Sequence, residues 1–146
     1  MRRRNGFSLM EILMVVAIIG IIVGIALPRF RGMQDEGNIA RAKGDLRSLQ
    51  TAIESYYVHN NNAYPSALSN LTSASPSIVS ALPVDPFNSG ANYGYAASAN
   101  GKYYTLYSPG AGGTGSASIT DTGNVTETNG SSCIYVTNGN SRDMQP

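Results

Sequence analysis

Hydrophobic and polar positions divide the chain into stretches of different period. From Ile12 to Leu27 no residue carries a charge, and with Phe7–Glu11 in front the stretch makes about 31 Å of helix at the rise of an α-helix. That matches the ~30 Å hydrocarbon core of a bilayer and predicts a membrane-spanning helix. After Pro28 the apolar residues Ile39, Ala42, Leu46, Leu49, Ile53 and Tyr56 recur every three or four positions, while Asp35, Glu36, Arg41, Lys43, Asp45, Arg47 and Glu54 fill other faces. One stripe of this spacing predicts an amphipathic helix packed on its own domain core and ending between Tyr57 and Asn60. Beyond residue 58 charge almost vanishes, and Gly, Ser, Asn, Thr and Tyr predict short strands joined by turns. Tyr93–Ser98 and Lys102–Ser108 flank Asn100-Gly101 as a hairpin with a tight primed turn. Ile134–Thr137 adds a strand, and Ala63–Phe87 reads as a connecting loop with a short helical turn. The expected fold class is α+β: a long N-terminal helix whose C-terminal half packs on a small antiparallel sheet.

Composition narrows the function. The 146 residues suffice for one modest domain and one extension. Ten Lys and Arg against nine Asp and Glu give no basic field for nucleic acid. Arg2, Arg3, Arg4, Arg29 and Arg31 bracket the apolar segment, and Glu11 is the one acid between Met1 and Arg31. The basic start predicts a cytoplasmic N-terminus, with everything after Pro28 on the far side. Cys133 is the single cysteine, which excludes an intramolecular disulfide, and it reads as a buried strand residue. His59 is also alone and reads as a surface residue near a helix end. One His, one Cys, no Trp and no paired carboxylates assemble no nucleophile, base or metal cage, so no enzyme is expected. Tyr93, Tyr95, Tyr103, Tyr104 and Tyr107 have only Lys102 among them as a base; they are expected in strand packing, and no nucleic acid partner is predicted. Asn70-Leu71-Thr72, Asn124-Val125-Thr126 and Asn129-Gly130-Ser131 match a glycosylation pattern at the frequency chance allows in a Thr- and Asn-rich chain.

Three fates fit the apolar segment: a retained anchor, a secretory signal cut near Gly24-Ile25-Ala26, and a leader removed ahead of the helix. Glu11 separates them. A carboxylate within an apolar span costs roughly 2.5–3.5 kcal/mol at the bilayer centre, less near the interface, and normally has a partner. A cut after Gly6 creates an amine at Phe7, four residues from that carboxylate. The run Gly6-Phe7-Ser8-Leu9-Met10-Glu11-Ile12, behind basic residues and ahead of an apolar helix with Gly20 and Pro28, closely resembles the prepilin signature of the type IV pilin-like family. The resemblance implies that a prepilin peptidase cuts after Gly6 on the cytoplasmic side and N-methylates Phe7. It also implies that Glu11 neutralises the amine of an adjacent subunit entering a filament. Gly20, Gly24 and Pro28 lower helical stability, and in such filaments this stretch is expected to kink, melt and extend.

Tyr64-Pro65, Leu82-Pro83-Val84-Asp85-Pro86-Phe87, Tyr93-Gly94-Tyr95 and Tyr103–Ser108 resemble the major pseudopilin of type II secretion systems. That family continues into an acidic calcium loop. Here Pro109–Gly115 contains no carboxylate, and Asp121 with Ser116, Ser118, Thr120 or Asn124 falls short of the six to eight oxygens calcium takes. A glycine-rich linker is expected instead, with no cofactor and no metal. The organisation that follows is a leader at 1–6, a transmembrane and filament-core helix at 7–28, an amphipathic helix at 29–58 and a globular domain at 59–146. The expected function is a structural filament subunit: a secretion pseudopilin, or alternatively a major surface pilin or a minor tip subunit. The implied partners are further copies of the chain, the prepilin peptidase, an inner-membrane assembly platform and membrane lipid before assembly. The implied location is the bacterial inner membrane, then a periplasmic or extracellular filament.

Overall fold

The computed structural model describes residues 6–128 and 133–140, apart from the side chains of Pro28 and Arg31. The basic leader residues Arg2–Arg4 and the triplet beginning at Asn129 lie outside the described residues. The chain divides into two units, one up to Glu36 and one from Gly37, and helix α1 (Leu9–His59) contributes to both. Within the described residues the first unit is residues 6–8 followed by α1 up to Glu36. Its apolar run carries no strand or turn signal, so the backbone pairs locally, and the helix passes through Gly20, Gly24 and Pro28 without a break in assignment.

In the second unit the predicted stripe becomes the core. Ala42, Leu46, Leu49 and Ile53 are buried, with Ile39 and Tyr56 half-buried beside them. α1 ends at His59, whose Nδ1 donates to the Ser55 carbonyl at 2.8 Å. Asn61 and Asn62 then take positive φ and turn the chain, which explains why the Asn run stops the helix. A loop containing the short helix α2 (Asn70–Ser73) packs Leu68 and Leu71 under the domain. Strands β1 (Gly94–Ala97), β2 (Tyr104–Ser108) and β5 (Ile134–Thr137) form an antiparallel sheet in the order β1-β2-β5. β2 is the central strand, with Leu106 opposite both Tyr95 and Val136.

Alternation along these strands sends Tyr104, Leu106, Ile134 and Val136 toward the α1 stripe. Full burial of a Leu or Ile side chain stabilises by roughly 1.5–3 kcal/mol, so this face contributes several such increments to the second unit. The opposite face carries Tyr107 and Tyr135, and the hairpin β3 (Ser116–Ile119) with β4 (Val125–Thr128) packs Ala117 and Val125 there beside Cys133. The central sheet is thus covered on both sides.

Two sequence expectations are corrected. Pro109–Gly115 is not a free linker. Gly110, Gly112 and Gly113 take positive φ, and a Cβ on Gly115 would come within 2.7 Å of the Pro109 carbonyl and 2.9 Å of Cys133 Cβ. The glycines fold the chain tightly into β3. The β1–β2 turn is also not a two-residue primed turn, because Gly101 has positive φ and Asn100 does not. Ser98 N–H donates to the Tyr103 carbonyl and Gly101 N–H to the Ser98 carbonyl, making a longer loop that frees the Asn100 side chain for other bonds.

Candidate functional site

Gly6 and Phe7 precede the helix and are exposed. The Ser8 carbonyl accepts the N–H of Glu11 at 3.0 Å and of Ile12 at 3.3 Å, so Glu11 lies in the first turn of α1. A carboxylate there is favoured by the helix dipole, yet Glu11 is exposed and makes no ion pair among the described residues. The structure therefore brings Gly6, Phe7 and Glu11 to one helix end, with no ion-pair partner for Glu11 among the described residues.

Along the rest of the first unit the long apolar side chains stay open. Phe7 is 80% exposed, Ile21 65% and Phe30 60%. This helix is long and apolar enough to cross a membrane by length and composition. Nothing lies within 4 Å of where a Cβ on Gly20 or Gly24 would sit, so neither glycine is explained by packing within the chain. A shallow apolar groove between successive turns is lined by Ile22, Ile25, Ala26, Arg29, Phe30 and Met33.

In the second unit, polar side chains fasten α1 to the sheet and loops. Tyr104 Oη donates to Glu54 Oε1 at 2.7 Å, and Tyr64 Oη to Glu54 Oε2 at 3.3 Å. Tyr93 Oη donates to Asp45 Oδ2 at 2.9 Å, and Asp45 also pairs with Arg41 at 3.6 Å. Tyr95 Oη donates to the Pro65 carbonyl at 2.6 Å. Burial, the largest cause, holds the phenols of Tyr93, Tyr95 and Tyr104 above the usual tyrosine range; hydrogen bonds to Asp45 and Glu54 add to it at Tyr93 and Tyr104. Burial, then the charge of Glu127, pushes the Cys133 thiol up to about 11, which leaves it protonated and unreactive near neutrality.

Asp85 has a role that sequence reading missed. It is 1% exposed; its Oδ1 accepts the Phe87 N–H at 2.8 Å and the Ser108 hydroxyl at 2.9 Å, while Oδ2 has no partner. The carboxylate ties the Pro86-Phe87 turn to the end of β2. An Asp before Pro within a short apolar run was the available signal.

Among the described residues the side chains around Asp121 do not fit a calcium site. Asp121 Oδ1 accepts the Asn100 N–H at 2.9 Å and its carbonyl accepts Asn100 Nδ2 at 2.9 Å, so it is engaged in joining two turns. Asn140 adds bonds to the carbonyls of Gly123 at 2.8 Å and Thr122 at 3.2 Å. Among the described residues no group of three or more His, Cys, Asp or Glu comes together.

Two family descriptions match the chain: the prokaryotic N-terminal methylation motif over residues 1–27, and type II secretion system protein G over residues 29–125. A type II secretion system core protein G of Pseudomonas aeruginosa is 34% identical over 139 residues, covering 84% of this chain and 96% of that protein. The protein of the same name from Aeromonas hydrophila is 30% identical over 100 residues, covering 59% of this chain and 69% of that protein. A type IV major pilin, PilA of Myxococcus xanthus, is 44% identical over 55 residues, covering 38% of this chain and 25% of that protein. No solved structure matches significantly.

Proposed function

The chain belongs to the protein G family of type II secretion systems, and from that premise we propose how it is processed, held and assembled. It is a structural subunit, a pseudopilin, of a type IV pilin-like filament. A prepilin peptidase cuts between Gly6 and Phe7 and methylates the new amine, in keeping with the methylation motif over residues 1–27. Before assembly the apolar part of α1 rests in lipid of the inner membrane, with the second unit outside the cytoplasm. An assembly platform in that membrane then transfers it into the filament.

The observation that carries this reading is an apolar helix with its side chains open on all faces and one carboxylate, Glu11, in its first turn. Lipid satisfies such a helix first, and the helices of other copies satisfy it afterwards. Moving Glu11 into a low-dielectric helix bundle costs several kcal/mol unless an opposite charge meets it. The methylated Phe7 amine of an adjacent copy supplies that charge, and registers that leave either group unpaired are disfavoured. Gly20, Gly24 and Pro28 form the stretch that loosens during assembly and gives the filament extensibility. A surface pilin remains the second reading, favoured by the likeness to PilA and by β4 and β5, most of which lie beyond the family match.

Glu11→Ala tests the assignment. The variant is expected to insert and be cleaved normally but to assemble poorly; normal filament yield would refute the role given to Glu11.

A further inference from the structure

Arg29 and Glu36 are exposed charges of the first unit with no ion-pair partner among the described residues. Opposite charges support a helix at spacings of three or four. Around Glu36 those positions hold Gly32, Met33, Ile39 and Ala40; around Arg29 they hold Ile25, Ala26, Gly32 and Met33. The other two charges here, Arg31 and Asp35, stand in sequence at the spacing that lets opposite charges serve each other. Among the described residues Arg29 and Glu36 thus offer a cation and an anion, just beyond the apolar segment, that make no ion pair in their own chain.

Resting on the proposed pairing of Glu11 with a neighbour's Phe7 amine, we infer that Glu36 of one copy pairs with Arg29 of that same neighbour. The sequence interval from Glu11 to Glu36 equals the interval from Phe7 to Gly32. Copies in a filament share one conformation, so when Glu11 is level with the neighbour's Phe7, Glu36 is level with the neighbour's Gly32. Arg29 is three residues below that, roughly 4.5 Å along a helix, within the reach of an arginine side chain. Because both intervals contain Gly20–Pro28, the levels agree whether or not that stretch unwinds. In the intact helix of the single chain the step from Glu11 to Glu36 makes almost seven turns, which puts Glu36 on the face that carries Glu11. The occupant of this surface is a second copy of the chain: its Arg29 cation fits the Glu36 anion, and the contact continues the Glu11 interface. The two carboxylates of one face then act as a two-point clamp that fixes the stagger between copies.

Charge exchange tests the pair in the full chain in membranes. Arg29→Glu and Glu36→Arg are each expected to lower filament yield by roughly tenfold, since each opposes like charges. The double exchange is expected to recover yield to within about twofold of wild type, because the pair is restored in reverse. Full assembly of either single variant, or no recovery in the double exchange, would overturn the inference. Arg29→Glu also alters the charge flanking the membrane span, so a second measurement guards against failed insertion. Arg29→Cys with Glu36→Cys, treated in formed filaments with a short bismaleimide, is expected to give a ladder of linked subunits that neither single cysteine gives. Filaments without that ladder overturn the Glu36–Arg29 pair and leave the Glu11 pairing standing. Loss of Glu11 with normal assembly removes the premise of both.

Discussion

Removing a single hydroxyl, by Tyr104→Phe, measures how firmly α1 is held to the sheet. Tyr104 is fully buried, its ring 4.9 Å from that of Tyr64 and 6.2 Å from that of Tyr95. Phenylalanine keeps this packing and deletes the hydroxyl's 2.7 Å bond to Glu54 Oε1 together with its weaker interaction with Gln50. A hydrogen bond to a charged group contributes about 1.5–3 kcal/mol. Glu54 is half-buried and keeps the Tyr64 hydroxyl at 3.3 Å, so the loss belongs at the low end, about 1.5–2 kcal/mol. For a unit of this size that lowers Tm by roughly 6–8 °C. Near-ultraviolet circular dichroism of the full chain in detergent would follow it, since the protein has nine tyrosines and no tryptophan. The pH dependence adds a sign. Burial first, then the bond to Glu54, raises the folded phenol above its unfolded value. Its contribution is therefore complete below about pH 10 and is lost as pH rises through the folded value. The phenylalanine variant lacks the group, so the Tm gap should stay constant from about pH 7 to about pH 9 and narrow above about pH 10. A Tm within about 1 °C of wild type at neutral pH, or a gap that widens in alkali, would refute the reasoning.

Two further outcomes concern the second unit. Gly94→Ala would drive its Cβ into the Tyr107 ring, which lies across from it in the sheet register, and should destabilise by about 1–3 kcal/mol in denaturant titration. An unchanged midpoint would show that the ring moves aside without cost. Chelation by EDTA should leave Tm unaltered within about 1 °C, because a bound cation would add stability by mass action and Asp121 is already engaged with Asn100. A fall in Tm on chelation, restored by calcium, would contradict this.

Features with local causes were legible in the sequence. The stripe from Ile39 to Tyr56 announced the core face of α1 because its period belongs to one helix, and the Asn run announced its end. β2 was visible through its tyrosines and leucine. The hairpin β3–β4 was not, because Ser-Ala-Ser-Ile and Val-Thr-Glu-Thr present little apolar alternation and only small inward residues. Distant partners hid the rest. Glu54 looked like a solvent-facing helix charge, but Tyr64 and Tyr104, 10 and 50 residues away, bond to it. Asp85 meets Ser108 from 23 residues away. At the N-terminus Gly6, Phe7 and Glu11 belong to one short run of sequence, and the structure adds that they are exposed at the start of α1.

The most direct measurement is the intact mass and N-terminal sequence of the mature protein. A chain beginning at Phe7 with a methylated amine is the predicted result. A chain that retains its leader, or one that begins at Leu27, would contradict it.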